Sequence, residues 1–310
     1  MAEKIVPNKR PISVRLKLFF RYDWWKILRE LFLWINIFFM LFPLVFMIFS
    51  AFKTSGEFMS NPFGMPADFP GTFFDNVVMV VTGAIPVSGS SFTMNLTPFF
   101  RMLLNTVIVT FGSLVLMIIC SLLAGYALAK KQFHGKQVYV IFVLIIQIVP
   151  FFGYITPMFL FATQMHITNS LIGLIPQLVG VSLPAAIVLM QGFYKTFPTA
   201  VEEAALIDGC NEFTKFIHIV LPMSKGIIAT MAVINFMGYW NEVGISSLMV
   251  NDLNLFTISV GVLSTNTQSG LMNYAYVMTL LTFSALPNMI FFTVFQKSIT
   301  RGISLGSIKG

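Results

Sequence analysis

Six stretches of about 20 mostly apolar residues, the length a helix needs to cross lipid hydrocarbon, constrain this chain more than any other feature. They fall near residues 31–52, 102–129, 138–162, 170–194, 223–249 and 274–296. Backbone in hydrocarbon must satisfy its own polar groups, so each run is expected to be helical and the chain an all-α membrane protein with six transmembrane helices. The fifth run is the least clean, because Lys225 opens it and Glu242 interrupts it. Composition agrees: 56% of the 310 residues are apolar and only 10% charged, far from a soluble balance.

The formal net charge of +7 is read as topology, not as a nucleic-acid footprint, because the Lys and Arg residues sit between the apolar runs and not on a soluble face. Lys4, Lys9, Arg10, Arg15, Lys17, Arg21, Lys26 and Arg29 precede the first run. Lys130, Lys131 and Lys136 follow the second, Lys195, Lys215 and Lys225 flank the loop after the fourth, and Lys297, Arg301 and Lys309 follow the sixth. The opposite side keeps Lys53 and Arg101, so both termini are expected in the cytoplasm. The expected layout is a basic amphipathic segment over 1–30, a first span over 31–52 and an extracytoplasmic loop over 53–101. A core domain over 102–296 contains a cytoplasmic loop at 196–222, and a cytoplasmic tail covers 297–310. The basic N-terminal region is too long for a signal peptide, so the first run is read as a retained span.

Catalytic and metal chemistry find no support. His134, His166 and His218 are scattered, and Cys120 and Cys210 lie in unlike contexts, so no metal ligand set is expected. No nucleophile, carboxylate pair or metal ligand set converges within the apolar runs, and no phosphate-binding Gly-x-x-x-x-Gly-Lys-Ser/Thr loop occurs. Pro43, Pro150, Pro157, Pro176, Pro184 and Pro287 lie inside the apolar runs, where each removes a backbone donor and favours a kink.

The informative segment is Pro198 to Pro222. Thr199 with Glu202 has the spacing of a capping box, Ala204 and Ala205 make a smooth face, and Gly209 suits a left-handed helix end. The pattern predicts helix, sharp turn, helix, with Phe213, Phe216 and Ile217 of the second helix packing back onto the spans. Glu203-Ala204-Ala205, Asp208-Gly209 and Leu221-Pro222 resemble the EAA loop of ABC importer permeases. Leu104-Asn105-Thr106, Gly125-Tyr126-Ala127-Leu128-Ala129, Trp240-Asn241 and the tail from Gly302 to Lys309-Gly310 narrow the likeness to the smaller permease subunit of maltose-type carbohydrate importers. Residues 75–99 look like an insertion relative to that pattern, and Lys225-Gly226 stands where Lys-Pro is usual.

The resemblance implies a type I ABC importer permease bundle in a bacterial cytoplasmic membrane. The implied partners are a second homologous permease subunit, two ATPase subunits and an extracytoplasmic solute-binding protein. The chain itself holds no cofactor; ATP and Mg belong to the ATPase subunits. Coupling contacts fall on Glu202, Glu203, Ala204, Ala205, Asp208 and Gly209, with Gly306, Ser307, Lys309 and Gly310 reaching between the ATPases. By the same likeness Thr265, Asn266, Thr267 and Gln268, in an external loop, meet the binding protein.

Polar groups within spans mark cavities or neighbouring helices, which makes Gln147, Gln191, Asn235, Tyr239, Asn241 and Glu242 candidate lining of a translocation path or packing contacts between helices. The expected cargo is a sugar, oligosaccharide or polysaccharide, with a polyol phosphate or other polar solute as the alternative. An ion-coupled secondary transporter would need charged coupling groups near mid-membrane, and the runs offer almost none.

Overall fold

The computed structural model describes residues 24–86, 93–267 and 273–307, and helix dominates them. Helix α1 (Trp24–Ser50) leads into α2 (Ser55–Ser60), α3 (Gly71–Thr82) and an antiparallel hairpin of β1 (Ala84–Pro86) and β2 (Thr93–Asn95). Then come α4 (Phe99–Lys130), α5 (Lys136–Ile146), α6 (Phe151–Gln164) and α7 (Leu171–Lys195). The remainder comprises α8 (Thr199–Ile207), α9 (Glu212–Lys215), a π turn (Phe216–Val220), α10 (Leu221–Met223), α11 (Lys225–Trp240), α12 (Gly244–Met249), α13 (Ile258–Thr267) and α14 (Tyr274–Ser307). Among the described residues four helices are long and apolar enough to cross a membrane, or up to six if each of two bent pairs is one span.

Both bent pairs depart from the continuous spans that the apolar runs suggest. The third run breaks between α5 and α6, which meet at 106°. Pro150 occupies the N-cap of α6 with ψ 146°, an extended conformation that no continuous helix can pass through. In the fifth, the segment Glu212–Met223 bends by 69° into α11. That helix stops at Trp240, earlier than the apolar pattern implies, and α12 is a separate short helix.

The centre of the bundle is α4 laid along α7, with α11 and α14 packed around them. Met102, Met117, Leu174, Met190, Tyr194, Phe236, Tyr276 and Leu280 form its most buried apolar positions. Gly125 permits the closest approach: a Cβ there would lie 2.5 Å from the Cβ of Met190. On the other side Phe236 stacks on Phe291 and on Trp240, with centroids 3.4 and 5.2 Å apart. Helix α1 stands at the edge against α14, with its apolar surface facing outward, as a lipid-facing helix would. It begins at Trp24, so the last residues of the basic N-terminal segment are continuous with the first span; most of the expected amphipathic stretch lies outside the described residues.

The cap between α1 and α4 is ordered by side-chain bonds to backbone. Lys53, almost fully buried, donates to Asn61 O at 3.2 Å and Pro62 O at 2.5 Å, and Asn76 bridges Ala51 O and Lys53 O. Glu57 closes a capping box with Thr54 and also accepts from Ala67 N at 2.8 Å. Those backbone N–H groups hold its carboxyl below the usual range. The end of the bundle that carries this cap is opposite the end that carries Lys130, Lys195 and α8, the basic end.

Candidate functional site

At the basic end, α8 and α9 form an elbow that projects from the bundle. Gly209 turns it with φ 80°, the left-handed conformation that only glycine adopts without cost, and a Cβ there would meet nothing within 4 Å. Asn211 then caps α9 by accepting from Thr214 N at 2.8 Å. The N-cap of α8 is Pro198, one residue before the expected capping Thr199, whose side chain lies outside the described set. Glu202 turns back to the bundle, where Oε1 lies 2.9 Å from Lys130 Nζ and Oε2 accepts from the Tyr126 hydroxyl at 3.5 Å. Lys130 also donates to Phe197 O at 2.9 Å. A second ion-pair cluster ties α9 down, with Glu212 2.7 Å from Lys131 and 3.1 Å from the buried Lys215. These two lysines hold the Glu212 carboxyl below its ordinary range.

Anchored in this way, the elbow presents Glu203, Ala204, Leu206, Ile207 and Phe213 outward, while Ala205 is buried. Phe213 is 75% exposed, so it does not pack back onto the spans as its helical spacing suggested. The π turn after α9 rotates the later residues, so Phe216 alone of the aromatic pair faces inward, edge-on to Tyr126 at 5.2 Å. Asp208 is the C-cap residue just before Gly209. Of the tail, Gly306 and Ser307 lie in the last turn of α14, and Lys309 and Gly310 lie outside the described residues.

A second feature is a groove of about 330 Å³ toward the other end, lined by Trp240 at the end of α11 and Asn241 and Val243 just after it, by Ser259 and Val262 of α13 and by Leu281 and Ser284 of α14. An indole face, an amide and two hydroxyls meet there with no charged group on the wall. Asn241 accepts from Asn288 Nδ2 at 3.2 Å, and Ser259 donates to Trp240 O at 3.3 Å. The Oδ1 of Asn288 is a buried acceptor that no described donor reaches. Ser259, Ser284 and Asn288 were not singled out from sequence; their signal is a hydroxyl or amide inside an apolar stretch, which is common and weak.

The other path candidates scatter. Tyr239 hydrogen-bonds Ser182 across the α11–α7 contact, and Asn235 donates to Met231 O within its own helix. Gln147 is exposed at the C-cap of α5, and Gln191 is buried at the basic end. Glu242 accepts from the backbone N–H groups of Ile245 and Ser246 and from the Ser246 hydroxyl, so both oxygens serve the start of α12. The expected external loop around Thr265 is corrected: Thr265 lies in helix α13, 5% exposed, and donates to Val262 O. Asn266 and Thr267 complete that helix, and Gln268 lies outside the described residues.

With this geometry in place, comparison with known proteins decides the family. Residues 118–305 match the family described as "Binding-protein-dependent transport system inner membrane component". The chain belongs to this family. The permease is 28% identical over 268 residues to the diacetylchitobiose uptake system permease protein NgcG of Streptomyces coelicolor, covering 86% of this chain and 83% of that one. It is 31% identical over 207 residues to the maltodextrin transport system permease protein MalD of Streptococcus pneumoniae, covering 67% and 74%. In three dimensions it resembles a chain of a bacterial ABC transporter that imports the acidic polysaccharide alginate, with a TM-score of 0.73 over 93% of this chain and 98% of that one. At 18% identity that likeness bears on the fold alone. The matched segment takes in the elbow, both bent pairs and α13, and the family is one of transport components, not enzymes.

Proposed function

We propose that this permease is one transmembrane subunit of an ATP-driven importer for a neutral sugar or oligosaccharide in a bacterial cytoplasmic membrane. Six spans, with each bent pair counted as one, leave both termini and the elbow in the cytoplasm, in line with the clustering of lysines and arginines at the basic end. The partners are a homologous permease, two ATPases that bind ATP and Mg, and a soluble binding protein that delivers cargo on the other side.

The observation that carries the reading is the elbow. A projection with exposed Leu206, Ile207 and Phe213, turned by Gly209 and clamped to α4 through Lys130–Glu202 and Lys131–Glu212, is shaped to be gripped and to move α4 when it moves. Glu203, Ala204, Asp208 and Gly209 lie on its outward side and supply the docking contacts. The uncharged groove favours a neutral solute over a polyol phosphate, which would call for a cation in its wall.

The test is ATP hydrolysis by the purified complex with and without sugar-loaded binding protein. In Gly209→Val the left-handed turn costs about 1–2 kcal/mol. Stimulation is expected to vanish while the complex still assembles, and Gly209→Asn, which tolerates positive φ, should retain it. Full stimulation in Gly209→Val would sink the coupling assignment.

A further inference from the structure

A second cleft, of about 780 Å³, opens at the basic end between the start of α5 and the end of α7. Its wall holds two lysines, Lys136 and Lys195, three glutamines, Gln132, Gln137 and Gln191, and the apolar Phe133, Val138 and Ile141. No aspartate or glutamate occurs in the chain between Asp75 and Glu202. Of the carboxylates that follow Lys195 in sequence, Glu202 and Glu212 are taken by Lys130, Lys131 and Lys215, and Glu203 and Asp208 lie on the exposed face of the elbow. Among the described residues no carboxylate pairs with Lys136 or Lys195. Lys136 gives one N–H to Lys131 O at 2.8 Å, which fixes its ammonium and leaves it uncompensated. Gln191, 7% exposed, lines the cleft and has only a 3.5 Å contact to Leu128 O. The N-cap of α5, Gly135, supplies no side-chain cap, so the first N–H groups of that helix add to the positive field.

We propose that this cleft binds the phosphate of an anionic phospholipid from the cytoplasmic leaflet. A soluble anion would find the same two cations, but the apolar wall argues for a lipid. Val138 and Ile141 are exposed, and the same helix continues with exposed Phe142 and Ile145 along the path that acyl chains take from a headgroup at the interface. That leaflet carries negative surface charge, which favours occupancy by lipids such as phosphatidylglycerol. The inference rests on the cytoplasmic placement of the basic end, but its readout does not depend on transport.

The experiment uses the complete transporter in nanodiscs of phosphatidylcholine doped with a photoactivatable phosphatidylglycerol, with crosslinks mapped by peptide. Crosslinks are expected on 132–141 and 191–195. Each lysine near an anionic surface is worth about a fivefold factor, so apparent affinity should fall about fivefold in Lys136→Gln or Lys195→Gln and about thirtyfold in the double variant. Arginine at both positions should preserve labelling, and Lys225→Gln, an exposed cation elsewhere on the same end, should leave it unchanged. Wild-type labelling in the double glutamine variant, or an equal loss in Lys225→Gln, overturns the proposal. Displacement of the lipid by millimolar inorganic phosphate would assign the cleft to a free anion and overturn it too. Uptake failing while labelling persists would count against the importer reading alone.

Discussion

Glu202→Gln and Lys130→Met test whether the elbow is clamped to the bundle by charge. The two side chains are 13% and 11% exposed, and their charged atoms are 2.9 Å apart. At an effective dielectric of about 20, that separation gives a gross attraction of about 6 kcal/mol. Most of it is offset by desolvating the two groups, and removing one partner leaves the other uncompensated, for a net loss of about 1–3 kcal/mol, less than in a fully buried pair because both groups keep some contact with solvent. Lys130→Met should sit at the upper end, since it also loses the bond to Phe197 O and the contact with the Phe197 ring. Glu202→Gln keeps a polar acceptor and should sit at the lower end. The assay is hydrogen exchange in the purified complex, read over α8. Its amides should exchange about 5- to 150-fold faster in the single variants. The double variant with methionine at both positions should recover much of the protection, because an apolar pair needs no compensating charge. Unchanged protection in the single variants, or a double variant no better protected than Lys130→Met, would refute the clamp.

Gly125→Leu should destabilise the bundle by about 1–3 kcal/mol through overpacking against Met190, lowering the thermal midpoint of the purified complex, whereas Gly192→Ala, open within 4 Å, should not. Because the Glu212 carboxyl is held below its ordinary value, its contribution is fully present above the unfolded carboxylate value of about 4.3 and is lost as pH falls through the folded one. Stability of the elbow should therefore be flat from neutral pH to about 5 and decline below it, and Glu212→Gln should remove that part of the acid loss. Ser259→Ala and Ser284→Ala should raise the apparent KM for sugar uptake several-fold while leaving ATPase assembly intact, if the groove lies on the sugar's path.

Much of this architecture was legible in the apolar runs, and Gly209 was legible as a left-handed turn because glycine is the residue best suited to a left-handed helix end. The errors have separate causes. Pro150 was readable as a kink, but a kink and a 106° break look alike in sequence, since what differs is the extended ψ of 146° that Pro150 adopts in place of a helical one. Phe213 keeps helical spacing with Phe216, and the π turn that follows shifts the face in a way no periodicity records. Thr265 belongs to a run of Ser, Thr and Asn that reads as loop. In the structure the hydroxyls of Ser264 and Thr265 bond back to the carbonyls of Gly261 and Val262, which lets polar side chains stay buried in a helix. Glu242 was conspicuous as an ionisable group near a span end, and the reason for its presence, capping α12, depends on a break in the chain that the apolar pattern hides.

Helix α4 is fastened at both ends. At one end Lys130 and Lys131 hold the elbow. At the other, Asn105 donates to Asn254 O and Phe256 O at 2.9 Å each, Arg101 donates to Asn254 O, and Thr106 accepts from Ile258 N. Its 32 residues make an uninterrupted rod of about 48 Å with no proline inside. A rod pinned at both ends transmits displacement and torque without storing much of either. On the coupling proposed above, a push on the elbow would reach the segment that leads into α13, on the wall of the groove, with little lost to bending of α4.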